Sequence, residues 1–395
     1  MRAEHWNVHP QHFWMRGEER GPVEFDASRG VWNVHGHPEA VRIISDPATF
    51  SSDVVRLFPM DDIDTSFTEG NLVQMDPPDH RKLRNLVSRA FTPKMVAGVE
   101  PRIREVTTEL LDAVAEPDRL ELVADLAYPL PVIVIADLLG VPASDRPLFK
   151  RWADQITGST VELSPVEVTE EQKNELRSQL DQVKEMADYL RGHAAERRTR
   201  PQQDLLTDLV QAEVDGVRLS DTEVVNFANL LLLAGHITTT LLLGSTVLCL
   251  DANPEQAQRV RADRALLPTA IEESLRLLTP FAMVARATTT ETEIGGHVVP
   301  PDQLVAIWLA AANRDPRQFD RPHEFDAGRD PNPHIAFGRG IHFCLGAPLA
   351  RLEGRIVLDM LLDRFPVLRA DPATPPEFLP SSEMTGVRTL PLLTG

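Results

Sequence analysis

The sequence predicts a mainly α-helical protein with a small β-rich part, and three features predict it. The longest apolar stretch, Ser220 to Leu250, opens on Ser220 with Glu223 three residues on, the capping-box pattern of a helix start. From Thr169 to Arg198, Leu176, Leu180, Val183, Ala187 and Leu190 recur at spacings of three and four among polar residues, which reads as an exposed amphipathic helix. β signals are confined to two short regions, near 22–37 and 284–310.

In chain order, VEFDASRGVWNVHGH (Val23 to His37) alternates short apolar runs with glycine and asparagine, as a hairpin does, and a helix follows from Pro38. Phe50 to Met75 has no period and reads as a long irregular loop, a kind that is often functional. PPDHRKLRNLVSRA (Pro77 to Ala90) reads as a proline-opened helix with His80 and Arg84 on one face. PVIVIADLLGVP (Pro131 to Pro142) is a helix stopped by Gly140 and Pro142. The Ser220–Leu250 segment is long enough to span a membrane. However, Asn226, Asn229, His236 and Thr238 to Thr240 would be costly in lipid, so it is expected inside a large core. A helix ending near Leu278, the β-prone IGGHVVPPDQLVAIWLAA, an aperiodic meander from Asn313 to Pro333 and a last amphipathic helix from Ala347 to Phe365 complete the chain.

Composition narrows the class. The 395 residues, 42% hydrophobic and 25% charged, can bury a large core. Forty basic against 59 acidic residues, a net charge of −19, argue against nucleic acid or anionic lipid as partners. Two cysteines cannot form a disulfide framework and suit a reducing compartment. Met1 to Trp14 carries charges and histidines where a signal peptide needs an apolar run, so the expected location is the cytoplasm. There is no repeat and no low-complexity linker, and 395 residues fit two or three units or one large α-rich domain.

The chemistry concentrates in Phe337 to Gly346, FGRGIHFCLG, directly before the helix APLARLEGRIVLDMLLDRF. A thiolate at Cys344 is favoured by the helix dipole and by the free N–H groups of the first turn. The surrounding glycines let backbone pass close to a flat, bulky group. A lone thiolate held this way suits an axial ligand to haem iron, whereas Cys249, in the apolar Val247–Leu250 run, reads as a structural core residue.

With these residues in view, the chain resembles the cytochrome P450 superfamily over nearly its whole length. FGRGIHFCLG, with Phe337, Gly338, Cys344 and Gly346, is similar to the family's haem-binding signature. Glu273-Ser-Leu-Arg276 is similar to its Glu-x-x-Arg pair, and Ala234-Gly235-His236-Ile237-Thr238-Thr239 to its oxygen-binding motif. His80 and Arg84 resemble the helix that holds the haem propionates in bacterial members. The resemblance implies a P450 fold with one haem b ligated by Cys344 as the metal ligand. It also implies propionate partners at His80, Arg84, Arg286 and His342, and a structural network of Glu273 and Arg276. The meander residue that completes that network in relatives is expected here at Arg329, although PHEF (Pro322 to Phe325) lacks the arginine of the family's Pro-Glu-Arg-Phe.

The resemblance further implies mono-oxygenase chemistry at Ala234, Gly235, Thr238 and Thr239, with the Thr238 hydroxyl bonded back to the Ala234 carbonyl. Ile237 stands where the family usually has an acid, leaving proton delivery to water, a threonine or a substrate hydroxyl. An apolar pocket is expected from Phe67, Leu231, Ile237, Phe281, Met283, Val284 and Met384. Actinobacterial relatives of this type point to a macrolide or other polyketide, with a terpene, steroid or fatty acid as alternatives and a peroxide-using peroxygenase as the rival activity. O2 is the co-substrate. Electrons are expected from a ferredoxin and its reductase, docked on a monomer at a basic patch of Arg81, Lys82, Arg339, Arg351 and Arg355.

Overall fold

The computed structural model describes residues 8–58, 69–116, 118–157, 169–214 and 216–395. The elements that position the site are strands β1 (Val23–Asp26), β2 (Val31–Val34), β3 (Phe50–Ser51), β4 (Val284–Thr288) and β5 (Leu304–Ile307). They are joined by helices α1 (Asp79–Ala90), α2 (Pro129–Leu138), α3 (Glu170–Thr199), α4 (Asp221–Asp251), α5 (Leu267–Leu277) and α6 (Ala347–Arg364).

Both expected β regions enter one five-stranded sheet of order β1-β2-β5-β4-β3. The β1–β2 hairpin is antiparallel, with Val23 opposite Val34. β2 then pairs in parallel with β5, Val31 opposite Leu304, so the first and last thirds of the chain share a sheet. The long loop after Phe50 contributes β3, which pairs with β4.

α4 is the axis of the helical part. Its start is a reciprocal capping box: Glu223 N–H donates to Ser220 Oγ and Ser220 N–H to the Glu223 carboxylate. It is long and apolar enough to cross a membrane, yet 67% of its most apolar window is buried inside the protein, as in a core helix. α2, α3, α5 and α6 pack against it.

α3 turns the apolar stripe of the expected amphipathic helix inward and leaves most of its polar residues exposed. Its stripe is half-buried at Leu176, Leu180 and Val183 but fully buried at Met186, Ala187, Leu190 and Ala194. Arg197 is buried too: it donates to the Asp204 carboxylate at 2.6 Å and to the Gly140 carbonyl at 2.9 Å. Its charge is thus paired and its donors used, which is what makes a buried guanidinium tolerable.

The meander is fastened through two side chains of α5. Arg276 and Glu273 have no exposed surface and form a two-bond pair at 2.7 and 2.8 Å. Arg276 also donates to the carbonyls of Asn313, Pro322 and Glu324. Glu273 accepts from Arg329 Nε at 2.9 Å, Asn332 Nδ2 at 3.1 Å and Asp326 N–H at 3.2 Å. Removing one member strands the other charge in the interior, which costs about 3–5 kcal/mol. Glu273→Ala is therefore expected to lower unfolding stability by about that amount in urea titrations, and a loss below about 1 kcal/mol would contradict this account.

Candidate active site

The network hands its order on to the cysteine loop. Asn313, at the start of the meander, accepts the Ile335 N–H on its Oδ1 at 2.8 Å, and the Gly338 N–H in turn donates to the Ile335 carbonyl at 2.9 Å. Gly338 and Gly340 have φ of 68° and 69°, the left-handed region where a Cβ is strained. A Cβ at Gly340 would also lie 3.1 Å from the Ile44 carbonyl oxygen. The turn closes when the Cys344 N–H donates to the Phe337 carbonyl at 2.9 Å.

Cys344 lies three residues before α6, with the Gly346 and Ala347 N–H groups directed at its sulfur. Burial pushes its thiol up, against the pull of those N–H groups and of Arg84 and Arg351. A thiol in this balance loses its proton to a bound cation far more readily than to water. Cys249 is wholly buried and its thiol is pushed up to about 12, with no such donors around it. Behind the loop, the Arg351 guanidinium lies 4.5 Å over the Phe337 ring and makes two 2.7 Å bonds to Glu272. Burial acts to raise the Glu272 carboxyl, but the bonds from Arg351 and His334 bring it down to about 2.

α4 opens a groove in the middle of the core. Ala234 is exposed and Gly235 and Thr238 are half-buried, although most of the surrounding helix is buried. The Thr238 hydroxyl donates to the Ala234 carbonyl at 2.6 Å. Ile237 is 6% exposed and, three residues on from Ala234, sits about 60° from it round the helix.

A third group gathers from distant segments. The His80 and His342 rings lie 4.4 Å apart, and Arg84 and Arg286 are close enough to depress both of their pKa values. Burial is the larger cause, and it takes His342 down to about 3. The carboxylate among them, Asp76, is already engaged by the Ser51 hydroxyl and the Ser52 N–H, while the Ser52 hydroxyl meets His342 Nε2 at 2.8 Å. His80 Nε2 is buried without a hydrogen-bond partner among the described residues, and Arg286 Nη1 donates only to the carbonyl of Ala285, its own neighbour. Such a donor set suits a group that brings two carboxylates of its own.

The remaining expected pocket residues partly converge. Phe281 and Met384 form an isolated β-bridge, and Met283, Val284 and Leu231 are half-buried. Phe67 lies outside the described residues. One residue was not anticipated: Glu353 on α6, 1% exposed and close to Thr239, with Oε1 buried without a hydrogen-bond partner among the described residues. The signal for it was present, since Glu353 falls four residues from both Leu349 and Val357, on the apolar face of the last helix.

Comparison with known proteins decides the family. The Cytochrome P450 family profile matches residues 23–393. The chain belongs to the cytochrome P450 family. Over 380 residues it is 44% identical to the cyclomarin C epoxidase CymV of Salinispora arenicola, covering 96% of this chain and 94% of that one. The erythromycin C-12 hydroxylase of Saccharopolyspora erythraea is 42% identical over 381 residues, 95% of this chain and 92% of that one. Among solved structures, HmtT, involved in himastatin biosynthesis, superposes with a TM-score of 0.91 at 57% identity, covering 100% of this chain and 99% of that one. This P450 is therefore a mono-oxygenase of a haem-containing family, and its cysteine loop and four-donor cluster fit a haem.

Glu353 makes the pH behaviour testable. Burial raises its carboxyl to about 8, so the folded protein holds this proton at neutral pH while the unfolded chain, near 4.5, has released it. The stabilising effect of that proton is complete below pH 4.5 and lost as pH rises to 8. In paired denaturation series, Glu353→Gln should therefore gain stability relative to wild type as pH rises through this window. A constant difference across it would show that Glu353 is not held neutral.

Proposed function

We propose that this P450 binds haem b through Cys344 and tailors a macrolide or related polyketide, working in the cytoplasm with electrons from a ferredoxin and its reductase. The observation that carries the reading is Cys344 itself: a buried thiol at a helix start with two N–H groups on its sulfur, on a chain whose four cationic or donor side chains converge nearby. When bound, haem supplies the activation of O2, one atom of which enters a C–H or C=C bond of the substrate.

The protein's own groups do the rest. The Gly346 and Ala347 N–H groups stabilise the sulfur anion, while His80, Arg84, Arg286 and His342 take up the two propionates. Gly235 and the exposed Ala234 leave room along α4 for O2 and water, and Thr238 keeps a hydroxyl proton at that groove. Ile237 cannot relay a proton. Glu353, protonated at neutral pH and close to Thr239, is a carboxyl that can store one.

Substrate class rests on the apolar wall of Phe281, Met283, Val284 and Met384 and on relatives that hydroxylate erythromycin and 6-deoxyerythronolide B. The docking patch for the electron carrier is narrower than the sequence suggested. Arg351 and Arg355 are paired with Glu272 and Glu100. Arg81, Lys82 and Arg339 are exposed and make no ion pair with a described residue, so they carry the charge available to an acidic carrier.

Reduced protein under CO should show the long-wavelength Soret band of thiolate ligation; Cys344→Ala should lose it and Cys249→Ala keep it. Persistence of the band in Cys344→Ala would refute the assignment. Thr238→Ala should divert a large part of the consumed NAD(P)H into hydrogen peroxide. Full coupling in that variant, measured as product per NAD(P)H, would remove Thr238 from proton delivery.

A further inference from the structure

The amino-terminal segment holds a buried histidine whose position bears on the pocket. His12 is 1% exposed, and its Nε2 lies 3.2 Å from the carbonyl oxygen of Ser382, 370 residues away. The segment around it is firmly seated. Trp14 lies 4.8 Å from the His12 ring and 5.6 Å from Trp308, just after β5, and Phe13 meets His35, just after β2, edge-on at 5.0 Å.

The loop that His12 holds, residues 379–386, forms one side of the proposed pocket. The Ser381 hydroxyl turns the chain by accepting the Glu383 and Met384 N–H groups at 3.3 and 3.2 Å. The Ala282 N–H donates to the Glu383 carbonyl at 2.7 Å and the Thr385 N–H to the Pro280 carbonyl at 2.9 Å, so Met384 is pinned opposite Phe281. On its other side the loop touches α4: a Cβ on Gly386 would come within 2.7 Å of Leu241 Cδ2, one helical turn beyond Ile237. The loop is thus held from three directions, by residues 280–282, by Leu241 and by His12.

From this geometry we infer that His12 is a positioning residue for the substrate pocket. Its bond to Ser382 sets how far the 379–386 loop, with Met384, stands from α4, and thereby which bulky substrates fit. The inference rests on the haem-enzyme reading above. A phenylalanine would fill the same space without desolvating a ring nitrogen, so a histidine here is explained by what its nitrogen does. That nitrogen makes one hydrogen bond, while Nδ1 is buried without a partner among the described residues. Burial lowers the ring to about 4, so it stays neutral and serves as a hydrogen-bonding group at any working pH.

The test uses holoenzyme and two azoles, imidazole and the bulky clotrimazole, titrated by the Soret shift each causes. A net hydrogen bond of about 1 kcal/mol corresponds to about a fivefold change in Kd. His12→Phe should change the clotrimazole Kd by about that factor and leave the imidazole Kd within about twofold, and His12→Gln, which keeps an N–H donor, should restore much of the difference. The imidazole titration shows in the same sample that the haem site is folded, so a general loss of structure is recognised as weakening both ligands. Equal clotrimazole binding in wild type and His12→Phe overturns the inference, as does parallel weakening of both azoles. Wild-type protein with no Soret shift for either azole overturns the functional reading instead.

Discussion

The Glu273–Arg276–Arg329 network is the interaction on which the site depends, because in it α5, the meander and the approach to the cysteine loop share atoms. The meander has no periodic structure of its own, so its backbone carbonyls must find donors elsewhere. Arg276 supplies them to Asn313, Pro322 and Glu324, and Glu273 takes up the opposing donors of Asp326, Arg329 and Asn332. Once Asn313 is fixed its side chain receives the Ile335 N–H, and two residues later the turn around Gly338 begins. A fully buried ion pair contributes little net stability against apolar replacements, so its use here is specification of one meander path among many.

Electrostatics around the loop divides into two layers. Close to Cys344, backbone N–H groups, Arg84 and Arg351 act against the burial that holds the thiol protonated. Arg351 is itself neutralised by Glu272, so it bears on the sulfur as one end of a dipole more than as a free cation. Further off, His80, His342, Arg84 and Arg286 accumulate donors with one engaged carboxylate between them. Such an arrangement is unfavourable for the polypeptide alone, and a group bearing two carboxylates relieves it. A haem held by these four side chains, as proposed above, would couple its affinity to fold stability.

Much of this was legible in the sequence where the information is local. The α4 capping box, the β1–β2 hairpin, the Thr238-to-Ala234 bond and the glycines of the cysteine loop each lie within a few residues of their partners. Arg329 was named from the resemblance even though PHEF departs from the family pattern, and it bonds Glu273. What was not legible lies between distant segments: the His12–Ser382 contact, the pairing of Arg351 and Arg355 that thins the basic patch, and the buried Arg197–Asp204 pair at the end of a helix that reads as surface.

The low exposure of Ile237 bears on how the missing acid is understood. A carboxylate at that position would have little contact with solvent, and its charge would be unfavourable without a partner or water. The chain has instead placed a carboxyl on the opposite helix, at Glu353, where burial keeps it neutral and Thr239 provides a hydroxyl contact. A neutral acid costs less to bury than an ionised one and retains a proton at the pH where the enzyme works. Thr239 adjoins Thr238 in sequence, so, on the function proposed above, the α6–α4 contact that packs the core would also bring a stored proton to the helix whose groove would admit O2. Packing and proton supply would then be two uses of one interhelical contact.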